Sequence, residues 1–362
     1  VLVWLEGAPK KGIGPHDVAI SLVKATFESG VVKNKVLEFA GPGVKNLPID
    51  FRNGIDIMTT ETTCLSSIWI TDDEVKHHYE IHERPQDYRE LKPGDVAYYD
   101  MMIRIDLSTQ ESMIALPFHP SNAVTIHELQ ADPVGILTRI EEDAKKRFGD
   151  KVDVHLVDKV VDGKVQADQG IIAGCSGGTY DNLAEAAAIL KGKNIGNDYF
   201  TASAYPQSTP VSMAVTREGI TADLIEAGVV MKPAFCGPCF GAGDVPSNNG
   251  LSIRHTTRNF PNREGSKPGQ GQLSLVALMD ARSIAATAAN GGIITAATDV
   301  EYENTHKPYV YDDKIYKCRV YNGFGKARPE TELRYGPNIK DWPKMYPMQE
   351  NMLVELAAVI HD

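Results

Sequence analysis

No apolar run in these 362 residues approaches the roughly 18 needed to span a bilayer. The opening Val1-Leu2-Val3-Trp4-Leu5 is broken at once by Glu6 and Gly7, so it reads as neither an anchor nor a signal peptide. Positive charge is also short: 37 Lys and Arg stand against 48 Asp and Glu, a net charge of -11. That balance repels phosphate backbones, and no basic, aromatic-interleaved patch offsets it, which weighs against general nucleic-acid binding. An anionic small molecule would need a local basic pocket. Cysteine is scarce and odd in number, five in the whole chain; with nothing marking secretion, a disulfide framework is a poor explanation, and reduced thiols in the cytoplasm fit better. Internal repeats and low-complexity tracts are missing too.

What is present is the composition of a folded, water-soluble chain, 42% hydrophobic and 23% charged. The length suits two domains of ordinary size. Strand-like Val1 to Leu5 precedes an amphipathic run, His16 to Ser29, with Val18, Leu22, Val23 and Phe27 at helical spacing. Val36 to Phe39 and Met101 to Leu107 read as strands, and His77 to Asp95 as polar surface. The pattern resets around Pro120 to Pro133. Thereafter Ile136 to Phe148 reads as a helix, Val152 to Val157 and Gln169 to Gly174 as strands, and Asp181 to Lys191, Ile220 to Ala227 and Leu273 to Ala289 as helices. Strands alternating with helices predict an α/β fold: two α/β domains whose parallel or mixed sheets are covered by helices. The expected limits are 1–125, 126–300 and an extended, linker-like tail over 301–362.

The chemistry gathers on cysteine. Cys236-Gly237-Pro238-Cys239 is followed by Phe240-Gly241-Ala242-Gly243, small residues that let backbone amides approach whatever the sulfurs hold. A CxxC pair by itself serves equally as a redox dithiol, half a zinc site or two ligands of an iron-sulfur cluster. Cys175 lies at the end of the apolar strand Gln169 to Gly174, just before Ser176-Gly177-Gly178-Thr179 opens a helix. Strand ends are where open sheets bind ligands, and a thiolate there gains from a helix N-terminus and free amides. Its plain alternative is a small buried hydrophobe.

Taken together, three blocks resemble the aconitase superfamily, which includes aconitase and the large subunit of isopropylmalate isomerase. Ala173-Gly174-Cys175-Ser176-Gly177 resembles the family's Gly-Ser-Cys-Thr-Asn, and Ala234-Phe235-Cys236-Gly237-Pro238-Cys239 its Ala-Cys-Gly-Pro-Cys. Thr257-Arg258-Asn259-Phe260-Pro261-Asn262-Arg263 resembles its Asn-Arg-Asn-Phe-x-x-Arg. The likeness runs from near Val1 to about residue 300. Ser176-Gly177 and Thr257 depart from the pattern, which leaves the substrate's identity open.

The resemblance implies a [4Fe-4S] cluster on Cys175, Cys236 and Cys239, with one iron free to act as a Lewis acid, and a hydro-lyase acting on a hydroxy polycarboxylic acid. It implies that Arg258 and Arg263 hold substrate carboxylates, that Ser176 lies beside cluster or substrate, and that Glu61 works near the open iron. Cys64 and Cys318 stay as ordinary thiols; Arg254, His255 and Lys267 have no family match and read as ordinary charges. The family's site also draws on an N-terminal domain and a C-terminal swivelling domain, neither of which is found here, so the chain reads as an incomplete fragment with little activity alone. The alternatives are an RNA-binding protein or a non-catalytic iron-sulfur or zinc protein.

Overall fold

The computed structural model describes residues 1–196, 199–261 and 271–320, together with 322–323, 325–332, 334–339, 347 and 349–355. The first strand, β1 (Leu2–Glu6), is followed by α1 (Pro15–Thr26), β2 (Val36–Ala40), α2 (Ile49–Ile57), β3 (Ser66–Trp69), α3 (Asp73–Ile81) and β4 (Met102–Asp106). All four strands are parallel in the order β3-β2-β1-β4. Alternation places Val3, Leu5, Leu37 and Phe39 inside, where they meet Val18 and Leu22 of α1 and Phe51 and Ile55 of α2. Helix α1 starts where it does because Pro15 fixes its first turn and the Asp17 carboxylate reaches back to the Gly14 N–H at 2.9 Å.

Two short strands, β5 (Met113–Ala115) and β6 (Ala123–Thr125), then lead into α4 (Ile126–Ala131) and α5 (Pro133–Phe148), the hairpin β7 (Val160–Val161) and β8 (Lys164–Val165), and β9 (Gln169–Ile172). Next come α6 (Gly174–Gly177), α7 (Tyr180–Leu190), β10 (Thr201–Ala204), α8 (Thr209–Arg217), α9 (Ile220–Glu226), β11 (Val230–Met231) and α10 (Gly237–Phe240). The set closes with β12 (Leu251–His255), β13 (Leu275–Met279), α11 (Ala281–Ala289) and α12 (Lys314–Arg319). Seven strands form a mixed sheet ordered β11-β10-β9-β12-β13-β5-β6. The first five run parallel, and β5 and β6 are antiparallel additions. Ala-rich α7 and α11 cover it and share one apolar core with it.

The fold is therefore the expected α/β arrangement of parallel and mixed sheets under helices, with several elements corrected. Leu273 to Ala289 is not one helix: Leu275–Met279 is a strand buried along its whole length, and α11 begins after Asp280, whose carboxylate caps the Arg282 N–H at 3.0 Å. A short, wholly apolar run has no periodicity to separate strand from buried helix. Val152 to Val157 is not a strand, because Asn249 takes its backbone: Asn249 Oδ1 accepts from the His155 N–H at 3.2 Å, and Nδ2 donates to Asp153 O at 3.0 Å. Residues 113–125, expected with the first domain, pair with the second sheet.

By packing, Val1–Tyr316 forms one unit and Lys317–Asp362 another. Residues 301–316, expected in the tail, are strapped to the first unit: Tyr302 Oη donates to Glu185, Tyr180 Oη to Lys307 O at 2.7 Å, and Arg217 pairs with Asp312 at 2.7 Å. Among the described residues no helix is long and apolar enough to cross a membrane.

Candidate active site

The order β11-β10-β9-β12-β13 contains a reversal. From β9 the chain moves outward to β10 and β11, then returns to lay β12 on the other side of β9 and continues to β13. Open parallel sheets bind ligands in the crevice outside the carboxyl ends at such a switch. Cys175 follows β9 and Thr257-Arg258 follows β12, and the pairing of Ile172 with His255 sets these two strand ends side by side.

Cys236 and Cys239 reach the same point from β11. An ideal Cβ placed on Gly174 would lie 3.3 Å from Cys239 Sγ and 3.9 Å from Cys236 Sγ, and Gly174 has φ +69°, so a side chain there would fill the space between the sulfurs. Burial raises the Cys175 thiol above its ordinary value, and Cys236 adds to the rise. Cys239 is pushed up to about 11 by burial, then by Cys175 and Cys236. Cys175 and Cys239 thus resist ionisation at this point unless a cation joins them. Amide N–H groups of Cys175 and Ser176 favour the Cys175 thiolate, and that of Thr257 favours Cys239. Cys175 lies inside the short turn α6 rather than ahead of a long helix; α7 starts only at Tyr180.

Three thiols around one gap, with backbone amides beside them, are a donor set of the kind that iron-sulfur clusters use. Among the described residues no group of three His, Cys, Asp or Glu is placed to hold a single metal ion. None of the five cysteines is in a disulfide; Cys64 donates to Thr59 O at 3.3 Å, apart from the group.

The first sheet contributes Glu61, buried in the turn Thr59–Thr62. Arg258 Nε donates to Glu61 Oε1 at 2.6 Å, and the same guanidinium lies near enough to Cys175 to favour its thiolate. Arg258 therefore neighbours both Glu61 and Cys175, although 197 residues separate it from Glu61. Ser176 is fully buried and its Oγ has no hydrogen-bond partner, a donor without an acceptor inside the described chain. Arg263 and Lys267 lie outside the described residues. At residue 177 a Cβ would stand 2.2 Å from His255 O, so the turn packs too tightly on β12 for the side chain that the resemblance would place there.

Two groups escaped the sequence reading. Arg254, read as an ordinary charge, is wholly buried: Nη1 donates to Pro238 O at 2.9 Å and Nη2 to Asp244 O at 3.1 Å, lashing the CxxC loop to β12. The signal was an arginine in an otherwise strand-like, apolar stretch. Beneath the site His16, Asp17, His255, Asp280 and Arg282 are all buried. Asp280 accepts from the His16 N–H at 3.1 Å and from Arg282 Nη1 at 3.0 Å, Arg282 donates on to Asn182, and Asn182 to Ser176 O at 2.9 Å. The His16 and His255 rings pack with centroids 4.2 Å apart, tilted by 41°. Burial holds His16 well below its ordinary pKa and brings His255 down to about 4, so both are neutral near pH 7.

The pattern of the aconitase family (aconitate hydratase) matches residues 1–286. The chain belongs to the aconitase family. Similar curated proteins include the 3-isopropylmalate dehydratase large subunit 2 of Rubrobacter xylanophilus, 30% identical over 79% of this chain and 58% of that protein. The corresponding large subunit of Elusimicrobium minutum is 25% identical over 74% and 56%. The mitochondrial homoaconitase of Debaryomyces hansenii is 27% identical over 75% of this chain and 37% of its own length. The chain thus spans little more than half of the first two relatives. Among solved structures, holo aconitase X of Thermococcus kodakaraensis aligns with a TM-score of 0.32 at 11% identity over 71% of this chain and 48% of that one, too loosely to bear on this site.

Proposed function

We propose that this aconitase-family chain is the cluster-holding part of a hydro-lyase that removes water from, or adds it to, a hydroxy polycarboxylic acid. The observation that carries the reading is the meeting of three thiols with the Arg258–Glu61 pair at the sheet's switch point. Cys175, Cys236 and Cys239 would hold a [4Fe-4S] cluster. With three protein sulfurs for four irons, the cluster would supply a Lewis-acidic iron to a substrate hydroxyl.

The chain's own residues do the rest of what this part can do. Arg258 is about two-fifths exposed while Glu61 is buried, so the guanidinium can turn its outer edge to a substrate carboxylate in the bidentate geometry Lys cannot match. Glu61 keeps a carboxylate oxygen where a proton can be held near the reacting hydroxyl. Ser176 Oγ is available to donate, and by the family resemblance Arg263 would add a second guanidinium. The remaining acid-base groups would come from further domains on the same or a partner chain; two relatives being named large subunits supports that division. Substrates of the isopropylmalate and homoaconitate class are the first to assay, and the open thiols suit a reducing compartment such as the cytoplasm.

The test is anaerobic reconstitution followed by iron, sulfide and absorption measurements. Cys175→Ser, Cys236→Ser and Cys239→Ser should each abolish the cluster, while Cys64→Ser and Cys318→Ser should retain it. With companion domains present, Arg258→Lys should keep the cluster yet cut turnover. Full cluster retention in Cys175→Ser would overturn the three-ligand reading.

A further inference from the structure

A second cavity, of about 520 Å³, opens elsewhere in the first unit, and neither the thiols nor Glu61 or Arg258 line it. Its floor is two carboxylates. Asp50, from the first turn of α2, accepts from the Asp181 N–H at 3.3 Å and so caps α7. Asp181 stands beside it, and its own carboxylate makes no hydrogen bond or ion pair among the described residues. Burial, then the charge of Asp50, pushes Asp181 up to about 7 against the opposing pull of Arg282. The nearest cation, Arg282, is committed to Asp280 at 3.0 Å and Glu185 at 3.6 Å. No Lys or Arg is among the described lining residues.

The walls are aromatic. Tyr180 and Tyr309 have ring centroids 5.4 Å apart, and Tyr311 lies 4.4 Å from the His82 ring. Tyr309 and Tyr311 belong to the strapped segment that closes the cavity over α3 and α7. Carboxylates and aromatic rings lining one cavity both attract positive charge. The volume suits a small organic molecule rather than a bare ion, and no three metal-ligating side chains converge among the described residues. We propose that this cavity is a binding site for an organic cation, a small molecule bearing an ammonium or guanidinium group that seats against Asp181 beside the tyrosine rings.

The test uses the whole chain at about pH 8, where Asp181 is ionised and ordinary histidines are neutral. Agmatine, putrescine and spermidine are titrated by calorimetry, with 1,4-butanediol as the uncharged control. At least one amine should bind saturably and raise the melting temperature, as a ligand of the folded state alone must, and butanediol should not. Asp181→Asn should weaken binding roughly tenfold or more, without lowering the melting temperature of the ligand-free chain, because it removes a charge that has no partner. Tyr311→Leu, which keeps bulk but not the ring face, should weaken binding several-fold and serves if the Asn variant folds poorly. Cluster content should not change in either variant. Failure of all three amines to bind at millimolar concentration, or equal binding by wild type and both variants, overturns the proposal.

Discussion

Replacing Arg254 by Met should loosen the CxxC loop while leaving the sheet in place. Among the described residues the guanidinium makes four hydrogen bonds, to Ser252 Oγ at 2.8 Å, Pro238 O at 2.9 Å, Asp244 O at 3.1 Å and Gln169 Oε1 at 3.3 Å. Ser252 Oγ and Gln169 Oε1 also bond each other at 2.8 Å and stay partnered without it. The two loop carbonyls do not. Each loses a bond to a charged donor, about 1.5–3 kcal/mol apiece, and the gross loss of roughly 3–6 kcal/mol is partly offset because Met need not be stripped of water as a buried ion must. A net loss of about 3 kcal/mol follows, roughly 4–5 °C in melting temperature for the unit Val1–Tyr316 at about 2.1 cal/mol/K per residue. Arg254→Lys keeps the charge but has a single donor point and should fall between. Urea midpoints of the apo chain, with iron and sulfide retained after reconstitution and desalting, measure both consequences. A Met variant within about 1 kcal/mol of wild type that holds its cluster equally well would refute the assignment of Arg254 as the holder of the loop.

Gly177→Ala should lower both stability, by about 1–3 kcal/mol, and cluster retention, because its Cβ would meet His255 O at 2.2 Å and lift the turn bearing Cys175; unaltered urea midpoints and iron content would count against this packing. His255, brought down from 6.5 to about 4 by burial, makes the unfolded chain bind a proton first as pH falls. Its contribution is complete above about pH 6.5 and is lost toward pH 4, at up to about 1.4 kcal/mol per pH unit. His255→Asn, whose oxygen can still accept from the Ala281 N–H, should flatten that slope; an unchanged slope in denaturation midpoints across this range would contradict the burial argument.

What the sequence disclosed and what it hid divide along a physical line. Cys175, Cys236, Cys239 and Arg258 stand in short contiguous strings, so their chemistry is legible where they occur. The Glu61–Arg258 contact joins two sheets across 197 residues, and no local pattern encodes it. Arg254 was passed over because charged residues are ordinarily solvated, yet a strand buried at all five positions cannot hold a solvated arginine. The run Leu275–Met279 was read into a helix since five consecutive buried apolar residues carry no period; Asp280, an N-cap, was the boundary signal. Strand β12 was missed for the related reason that a strand buried at all five positions does not alternate.

The buried ions beneath the site bear on how its two halves stay aligned. An apolar plug of Ala19, Ile20, Met58, Met113, Ala115, Ala123 and Leu278 joins α1 and the turn before Glu61 to the second sheet. Apolar contacts of this kind are non-directional: they bring surfaces together but tolerate small slides and rotations. The Glu61–Arg258 distance of 2.6 Å does not tolerate them. Directional contacts lie alongside. Asp17 accepts from Gly14 N–H and, across the junction, from Met113 N–H at 2.8 Å, and Asp280 holds the His16 N–H from the far side. Burial drives Asp17 well above its ordinary pKa, while the Arg282 guanidinium overcomes the same effect at Asp280 and holds it below its ordinary value. Such ions add little net stability over a well-packed apolar substitute. What distinguishes them here is geometry: through Arg282 and Asn182 the same carboxylate that fixes the start of α1 fixes the carbonyl of Ser176, next to the first thiol. The turn that carries Cys175 and the helix that leads toward Glu61 are thereby referred to one buried atom group.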